Sequence, residues 1–167
     1  NHVPMLAYHN PPFYLEYLSN PVGEHVQPGQ TLLSTSKDGY TWSKTVVIFP
    51  PYKIPNGTTK PGSDKKVQNI SAVMHQRMCF YVSKNNKLLA QVYYGIALDE
   101  KDDPNDGNGI GRVVREILPD GKFGPIYFIR YNHAFNPSNT IYPIFSDSKD
   151  KNFVAACTEL LANRLMT

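Results

Sequence analysis

Three consecutive polar residues, His75, Gln76 and Arg77, lie inside a stretch that is otherwise apolar and typical of a strand. Alternate residues of a strand share a face, so His75 and Arg77 point one way and Gln76 points the other. Burying such groups without partners costs free energy, and a position on the wall of a polar channel avoids that cost. A salt bridge to Glu116 or another acid explains the arginine equally well. The triplet is therefore a candidate ligand-binding segment, with a structural ion pair as the alternative.

A second polar group follows a short apolar strand near the start of the sequence. His9 and Asn10 end that strand, and Tyr14 and Glu16 come shortly after it. Ligand-binding groups often collect where strands end, so all four side chains are candidates, and His25 is a weaker one. The alternative for His9 is a structural histidine that is held by hydrogen bonds.

The segment Arg112-Val113-Val114-Arg115-Glu116 places two cations and one acid on a predicted strand. Arg112 and Glu116 share a face, whereas Arg115 lies on the opposite face. We therefore expect at least one of the two arginines to be structural.

The loop between Asp99 and Gly111 does not fit either of two known ligand motifs. Its glycines do not open a helix, and their spacing departs from that of a dinucleotide-binding loop. Its acidic residues do not follow the spacing of an EF-hand calcium loop. The sequence also lacks the Cys/His spacing of a zinc site and the Gly-x-Ser-x-Gly motif of a serine hydrolase. The loop is interpreted as a solvated acidic turn, and no cofactor or metal is predicted.

The composition is that of a globular domain of 167 residues, with 41% hydrophobic and 19% charged residues. A net charge of +3 without a dense basic block argues against nucleic-acid binding. Cys79 and Cys157 are too few for a disulfide framework and are interpreted as buried free thiols. No apolar run approaches the ~20 residues of a membrane span. Because the sequence starts with Asn1 and has no signal peptide, we expect it to be an internal part of a longer protein.

The stretch from Ala72 to Tyr131 predicts four consecutive strands joined by turns. The predicted strands are Ala72 to Ser83, Leu88 to Ile96, Arg112 to Leu118 and Phe123 to Tyr131. No helical pattern separates them, which argues against a parallel βαβ sheet. A four-stranded meander is the unit of a propeller blade, and an isolated sheet in an α+β domain is the alternative.

Upstream of this meander, the pattern predicts only part of another blade. Met5 to His9 is its inner strand, Asn10 to Gln30 is a crossing loop, and Thr31 to Phe49 is a hairpin that turns at Asp38-Gly39. Residues 50–69 are rich in Pro, Gly and Lys and form a long connection. Near the end, the apolar spacing after Asp150 predicts a helix against the sheet edge.

The hairpin segment Ser36-Lys37-Asp38-Gly39-Tyr40-Thr41-Trp42 resembles the Asp-box of the sialidase superfamily of glycoside hydrolases. It is a shortened variant, because one residue is missing between Asp38 and Gly39. The aspartate can accept hydrogen bonds from turn amides, the glycine permits a left-handed backbone, and Trp42 is predicted to be largely buried beneath the hairpin. Segments around His9-Asn10-Pro11-Pro12, Met74-His75-Gln76-Arg77 and Gly109 to Glu116 also resemble bacterial proteins of the exo-sialidase type.

This resemblance implies an all-β, sialidase-like propeller that is six-bladed when complete. The chain would cover one full blade at 72–131, part of another at 1–50 and a helix at 150–165. The implied activity is that of an exo-acting glycoside hydrolase that releases a terminal acidic sugar outside the cytoplasm. The alternative is a non-catalytic propeller that binds glycan or protein. The expected partners are a carbohydrate and the remaining blades, without a nucleic acid or a transmembrane segment.

Sialidases, by this resemblance, bind a substrate carboxylate with arginines, pair a tyrosine nucleophile with a glutamate, and use an aspartate as acid/base. A guanidinium matches a carboxylate in a bidentate manner, and a nearby base activates the phenol. The candidate catalytic residues are Tyr93, Glu116 and Glu16. The candidate substrate-binding residues are His9, Asn10, Tyr14, His75, Gln76, Arg77, Arg112 and Arg115.

Adjacent blades place equivalent strands side by side. We therefore predict that His9 and Asn10 lie on the same mouth of the channel as His75 and Arg77, close enough to share one small ligand.

Overall fold

The computed structural model describes residues 2–23, 25–74 and 78–166, and within them the chain forms two antiparallel sheets and one α-helix. The first sheet is a meander of β1 (His2–Tyr8), β2 (Phe13–Ser19), β3 (Gln30–Ser36) and β4 (Val46–Phe49), paired in that order. The prediction of a crossing loop from Asn10 to Gln30 was wrong, because β2 lies within it. The first blade therefore has four strands rather than a part of them.

The second sheet is the predicted meander. It contains β5 (Val73–Met74), β6 (Cys79–Val82), β7 (Leu88–Gly95), β8 (Gly111–Ile117) and β9 (Tyr127–Tyr131). Both β5 and β6 pair with β7, β5 at its carboxyl end and β6 at its amino end, so together they occupy one strand position. The sheet thus has four strand positions, the innermost in two described halves, and the predicted antiparallel meander is confirmed.

The two sheets pack against each other through one apolar face of each. Tyr14, Leu18 and Leu33 of the first sheet join Val92 and Phe128 of the second in a continuous buried core. In β2 the buried residues alternate with half-buried ones, as the two-residue period of a strand requires. This face-to-face contact between neighbouring blades forms the centre of the molecule.

Helix α1 (Lys151–Ala162) covers the other face of the second sheet. The Asp150 carboxylate caps it by accepting hydrogen bonds from the amides of Asn152 (2.9 Å) and Phe153 (3.0 Å). Phe153, Ala156, Cys157 and Leu160 form its buried stripe and pack on the face that carries Leu89, Val114 and Ile129. A helix was predicted here, but at the sheet edge. It lies on the face instead, because that face is apolar across three strands.

The connections divide the molecule into two ends. The short turns after β1, β3, β6 and β8 lie at one end, here called the turn end. The long connections 20–29, 50–72 and 96–110 lie at the other, here called the loop end. Long connections that are anchored on a rigid scaffold commonly serve function, whereas tight turns serve register.

At the loop end, Lys60 ties the 50–72 connection to the 96–110 connection. Its side chain is only 3% exposed, and its Nζ contacts Asp102 Oδ1 at 2.8 Å and Asp106 Oδ2 at 2.9 Å. The same Nζ donates to the Asp103 carbonyl at 3.1 Å. The acidic loop is therefore held to the 50–72 connection by a buried lysine and is not a freely solvated turn. This arrangement of Lys60, Asp102 and Asp106 is here called the Lys60 clasp.

At the turn end, Asp38 organises the predicted hairpin. Its Oδ1 accepts hydrogen bonds from the Ser36 hydroxyl (3.0 Å) and from the amides of Tyr40 (2.9 Å) and Thr41 (2.7 Å). Gly39 supplies the left-handed backbone, with φ of 78°. Trp42 is only half-buried, contrary to the prediction, because it lies beside Pro12 along an open groove at the end of the sheet.

The Asp38 hydrogen bonds predict an acid-dependent hairpin. The amides of Thr41 and Tyr40 lower the pKa of Asp38 to about 2. Its stabilising effect should therefore be complete above pH ~4 and disappear as the pH falls through about 2. We expect a side-chain NMR titration to give that pKa and Asp38→Asn to lower the melting temperature. Asp64→Asn, at an exposed loop position, is the control, and an Asp38 titration near pH 4 would contradict the prediction.

The Lys60 clasp predicts a large effect of removing one charge. Lys60→Met should lower the free energy of unfolding by about 2–3 kcal/mol, somewhat below the ~3–5 kcal/mol of a fully buried pair, because both aspartates are partly exposed. Lys65→Met removes a lysine that is 73% exposed, 3.7 Å from Asp99, and should change stability by less than about 0.5 kcal/mol. Urea denaturation of both variants makes the comparison, and equal effects would show that the clasp does not stabilise the fold.

Candidate functional site

Four of the predicted site residues meet in one small cleft at the turn end. His9, Asn10 and Tyr14 of the first sheet face Glu116 of the second across a cavity of about 120 Å³. A ligand pocket usually measures ~300–1,000 Å³, so this volume suits a few water molecules better than a sugar. The structure thus brings these residues together, but in a crevice between two blades.

Glu116 is engaged in an ion pair. It is buried, and its Oε2 lies 2.9 Å from Lys87 Nζ, which also contacts Asp150 at the start of α1 at 3.2 Å. The pair joins the second sheet to the helix that covers it. This ion pair gives Glu116 a structural role, and the catalytic role predicted for it stays a prediction.

Tyr93 is also structural. Its side chain is buried, and its hydroxyl accepts hydrogen bonds from the Gly109 amide (2.9 Å) and the Asn132 side-chain amide (3.3 Å). A Cβ at position 109 would collide with the Tyr93 ring, so only glycine allows this approach. The predicted nucleophile therefore anchors the 96–110 connection, and its hydroxyl does not open onto a cleft.

Arg115 joins the two sheets through backbone carbonyl groups, and its predicted role in substrate binding stays a prediction. Its Nε and Nη2 donate to the Gly124 carbonyl (2.9 and 2.6 Å), and its Nη1 donates to the Ile48 carbonyl on β4 (2.6 Å). The guanidinium also lies over the Phe123 ring, 5.0 Å from its centre. The expectation that one of the two arginines is structural is confirmed, and Arg115 is that residue.

Arg112 lies on a second cleft, which is larger than the one at the turn end. This cavity of about 490 Å³, here called the inner-strand cleft, runs along the inner strands of both blades, β1 and β6. Its lining includes Met5, Ala7, Met78, Phe80, Arg112 and Met166. Arg112 is half-buried, and its Nη1 donates to the Met166 carbonyl at 2.8 Å. Its face of β8 is opposite to that of Arg115, as the alternation predicted.

The segment His75-Gln76-Arg77 lies outside the described residues, between β5 and β6. The prediction that His75 and Arg77 share a mouth of the channel with His9 and Asn10 therefore stays a prediction. Among the described residues, His9 and Asn10 line the small cleft at the turn end and do not line the inner-strand cleft.

Sequence reasoning missed Gln91, a neighbour of Arg112. Gln91 is 1% exposed, and its Nε2 donates weakly to the Met166 carbonyl (3.4 Å), the oxygen that Arg112 also contacts. Two donors from adjacent strands thus converge on one oxygen atom. The available signal was a polar residue in the middle of the apolar run Leu88–Gly95.

Glu16 is sealed between the two sheets. It is fully buried, and neither of its carboxyl oxygens has a hydrogen-bond partner among the described residues. It lies on the buried face of β2 and pairs in register with Met5 on β1 and Leu33 on β3. Burial raises its pKa well above the usual range, because it favours the neutral acid over the carboxylate. No cleft reaches it, which corrects the prediction of an accessible catalytic carboxylate.

Both cysteines are free thiols, and the prediction that they are buried is confirmed for Cys157 only. Both are unpaired by disulfides, and Cys157 is buried whereas Cys79 is half-buried. Burial, with a smaller contribution from Glu16, raises the pKa of Cys79 to about 12. A thiol with that pKa is not a nucleophile at neutral pH.

Two further kinds of site are absent from the described part of the chain. Residues 2–23, 25–74 and 78–166 hold no group of three or more His, Cys, Asp or Glu side chains suited to a metal ion. They also contain no helix that combines the length and the apolarity of a membrane span.

The buried Glu16 predicts a specific pH dependence. Because the folded-state pKa is raised, stability should fall as the pH rises above about 4.5, with a slope of up to ~1.4 kcal/mol per pH unit until the folded-state pKa is reached. Glu16→Gln should remove this slope and unfold at a higher urea concentration at pH 7 than the unmodified protein. Glu100→Gln, at an exposed position, is the control. Parallel pH profiles for Glu16→Gln and the unmodified protein would contradict the prediction.

Comparison with known proteins agrees with the fold. The family described as BT_1020-like, N-terminal β-propeller, matches residues 1–167. A solved structure named sialidase matches with a TM-score of 0.94 and 59% sequence identity over 99% of this chain. The matched region is 15% of that protein's chain, so the present chain spans a small part of its length. No curated protein matches. The resemblance to the sialidase superfamily is therefore confirmed, and the chain belongs to the BT_1020-like N-terminal β-propeller family.

Proposed function

We propose that this chain is part of an exo-acting glycoside hydrolase of the sialidase type, which releases a terminal acidic sugar from glycans or polysaccharides. The observation that carries the proposal is the 59% identity over 99% of the chain to a protein named sialidase. In this proposal the two blades supply one wall of the substrate site, and the protein acts outside the cytoplasm.

The proposed contact with substrate is made by Arg112 in the inner-strand cleft. A volume of about 490 Å³ lies in the range of small-ligand pockets and accommodates a monosaccharide unit. The guanidinium now donates to a carbonyl oxygen, and the same donors suit the carboxylate of an acidic sugar. An acidic substrate is therefore favoured over a neutral one.

The nucleophile and the acid/base are assigned to parts of the protein beyond this chain. Tyr93 and Glu116 are held by partners within the blade, and Glu16 is sealed from both clefts. Hydrolysis of a glycosidic bond needs two groups that flank the scissile bond within reach of the sugar. The described residues of this chain do not offer such a pair, so its proposed contribution is substrate binding.

The similarity to a protein named sialidase also fits a second candidate function, a propeller that binds a glycan or a protein without cleaving it. In that case Arg112 and the inner-strand cleft would still bind an anionic group, and no other blade would supply catalytic residues. In both functions the protein binds the glycan, but only the hydrolase cleaves it. A direct assay of hydrolysis therefore separates them.

The test is a hydrolysis screen of the full-length protein against sialosides, other ulosonic-acid glycosides and arabinans. We expect release of a terminal acidic sugar. Arg112→Met should raise KM for that substrate by about 10–100-fold, since hydrogen bonds to a charged group contribute ~1.5–3 kcal/mol. Arg112→Lys, which keeps the charge, should lose less.

Arg130→Met, at an exposed position of β9, is the matched control and should leave KM unchanged. Thermal melting of each variant checks that the fold is intact. Binding of an acidic glycan without turnover would support the non-catalytic alternative. Cleavage of neutral arabinans alone, with no effect of Arg112→Met, would overturn the proposed role of Arg112.

A further inference from the structure

The groove beside Trp42 at the turn end has no part in the proposed function. Its volume is about 460 Å³, which lies within the ~300–1,000 Å³ of small-ligand pockets. We call it the Trp42 groove, defined by Trp42 and Pro12 together with the polar residues Thr35, Lys37, Asp38 and Ser43. None of these residues lines the inner-strand cleft, so the two cavities are separate places on the molecule.

The Trp42 groove is not an uncovered face of the first sheet. Thr35 pairs in register with Tyr14, which is buried in the core between the two sheets, so this side of the first sheet already has its neighbour. Pro12 lines both the groove and the small cleft between the two blades. The groove therefore opens at the ends of the strands, beside an interface that is already formed.

Hydrogen bonds fix the backbone on both sides of Trp42. The Thr41 amide donates to Asp38 Oδ1 at 2.7 Å, and the Ser43 amide donates to the Thr35 carbonyl at 2.8 Å. The Thr35 amide in turn donates to the Ser43 hydroxyl at 3.0 Å. An aromatic side chain on such a support loses little freedom when a ligand binds, which lowers the entropic cost of binding.

The exposed groups of the Trp42 groove suit a sugar ring. The indole is half-buried, and its N–H has no hydrogen-bond partner among the described residues. Lys37 is exposed at the rim, and Tyr40, two residues before Trp42, is 92% exposed. A pyranose has an apolar C–H face that can lie on an aromatic ring, and its hydroxyl groups accept hydrogen bonds from N–H donors.

The charges at the rim favour a neutral sugar unit. Lys37 and Asp38 contribute one charge of each sign, and the amides of Thr41 and Tyr40 lower the pKa of Asp38 to about 2. Asp38 is therefore a carboxylate at neutral pH, and a carboxylated sugar would meet a like charge. A stable protein partner would need a larger interface than this groove offers.

We propose that the Trp42 groove is a second carbohydrate-binding site, which takes a neutral pyranose unit of a polysaccharide by stacking it on Trp42. The site goes beyond the proposed function, because it does not include Arg112 and does not require hydrolysis. Contact with one polymer at two separate places raises the effective concentration at the second place. The groove thus anchors a polysaccharide on the protein apart from the inner-strand cleft.

The experiment is affinity electrophoresis of the full-length protein in native gels that contain galactan, galactomannan, xyloglucan or dextran, with polygalacturonate as the acidic comparison. We expect at least one neutral polysaccharide to retard the unmodified protein. Trp42→Ala should weaken that binding about 10-fold or more, as truncation of an anchoring aromatic residue does. Trp42→Phe keeps a flat apolar ring, so it should lose less and serves where Trp42→Ala does not fold. Ile141→Ala, at a position 53% exposed that lines neither cavity, is the matched control.

The result is decided by comparing Trp42→Ala with Arg112→Met, after thermal melting has shown that both are folded. Retardation that is kept in Arg112→Met and lost in Trp42→Ala supports the proposal, even if the protein hydrolyses no glycan. Unchanged retardation of Trp42→Ala, or its loss in Arg112→Met, would overturn it. The proposal is also wrong if no neutral polysaccharide retards the protein, or if the retardation that depends on Trp42 is stronger with polygalacturonate.

Discussion

The face-to-face packing of two four-stranded sheets is the constraint on which the rest of the structure depends. A blade that lies between neighbours must be apolar on both faces, so its strands cannot show the simple alternation of a half-exposed sheet. Strand β7 is buried at all eight positions, and β2 combines a buried face with a half-buried one. The same packing brings the short turns of both blades to one end and the long connections to the other.

The charged groups mostly serve this packing. Arg115 joins the two sheets through carbonyl groups, Lys87 joins Glu116 to the helix cap, and Lys60 joins the two long connections. A buried charge is tolerated only with such partners, so these groups are committed to the fold. Glu16 is the exception among the candidate residues, and it is accommodated because burial favours its neutral form. This explains why acidic and basic residues that resemble an active site in sequence need not form one.

The local pattern was enough to predict β7, β8, β9 and α1, because each has a strong period and clear turn or capping residues. It failed for β2, where Glu16 at a buried position made Phe13–Ser19 resemble a loop. The alternation of side chains along β8 showed that Arg112 and Arg115 lie on opposite faces. Which of the two is structural could not be predicted, because Arg115 binds the carbonyl of Ile48, which is remote in sequence. Likewise, the role of Tyr93 depends on Gly109 and Asn132, which the fold brings to it from separate connections.

The arrangement of polar and apolar surfaces suggests how binding and assembly are divided. The turn end is fixed by local hydrogen bonds such as those of Asp38, and its cleft between the two blades is small. The inner-strand cleft is larger and draws on both blades, yet Arg112, the charged donor that lines it, comes from the second blade. A sugar has polar groups around its whole ring, so one donor on one side would leave most of them unmatched. In the proposed function, further blades around the channel would provide the opposing groups, so one wall of the site alone would not bind a sugar specifically.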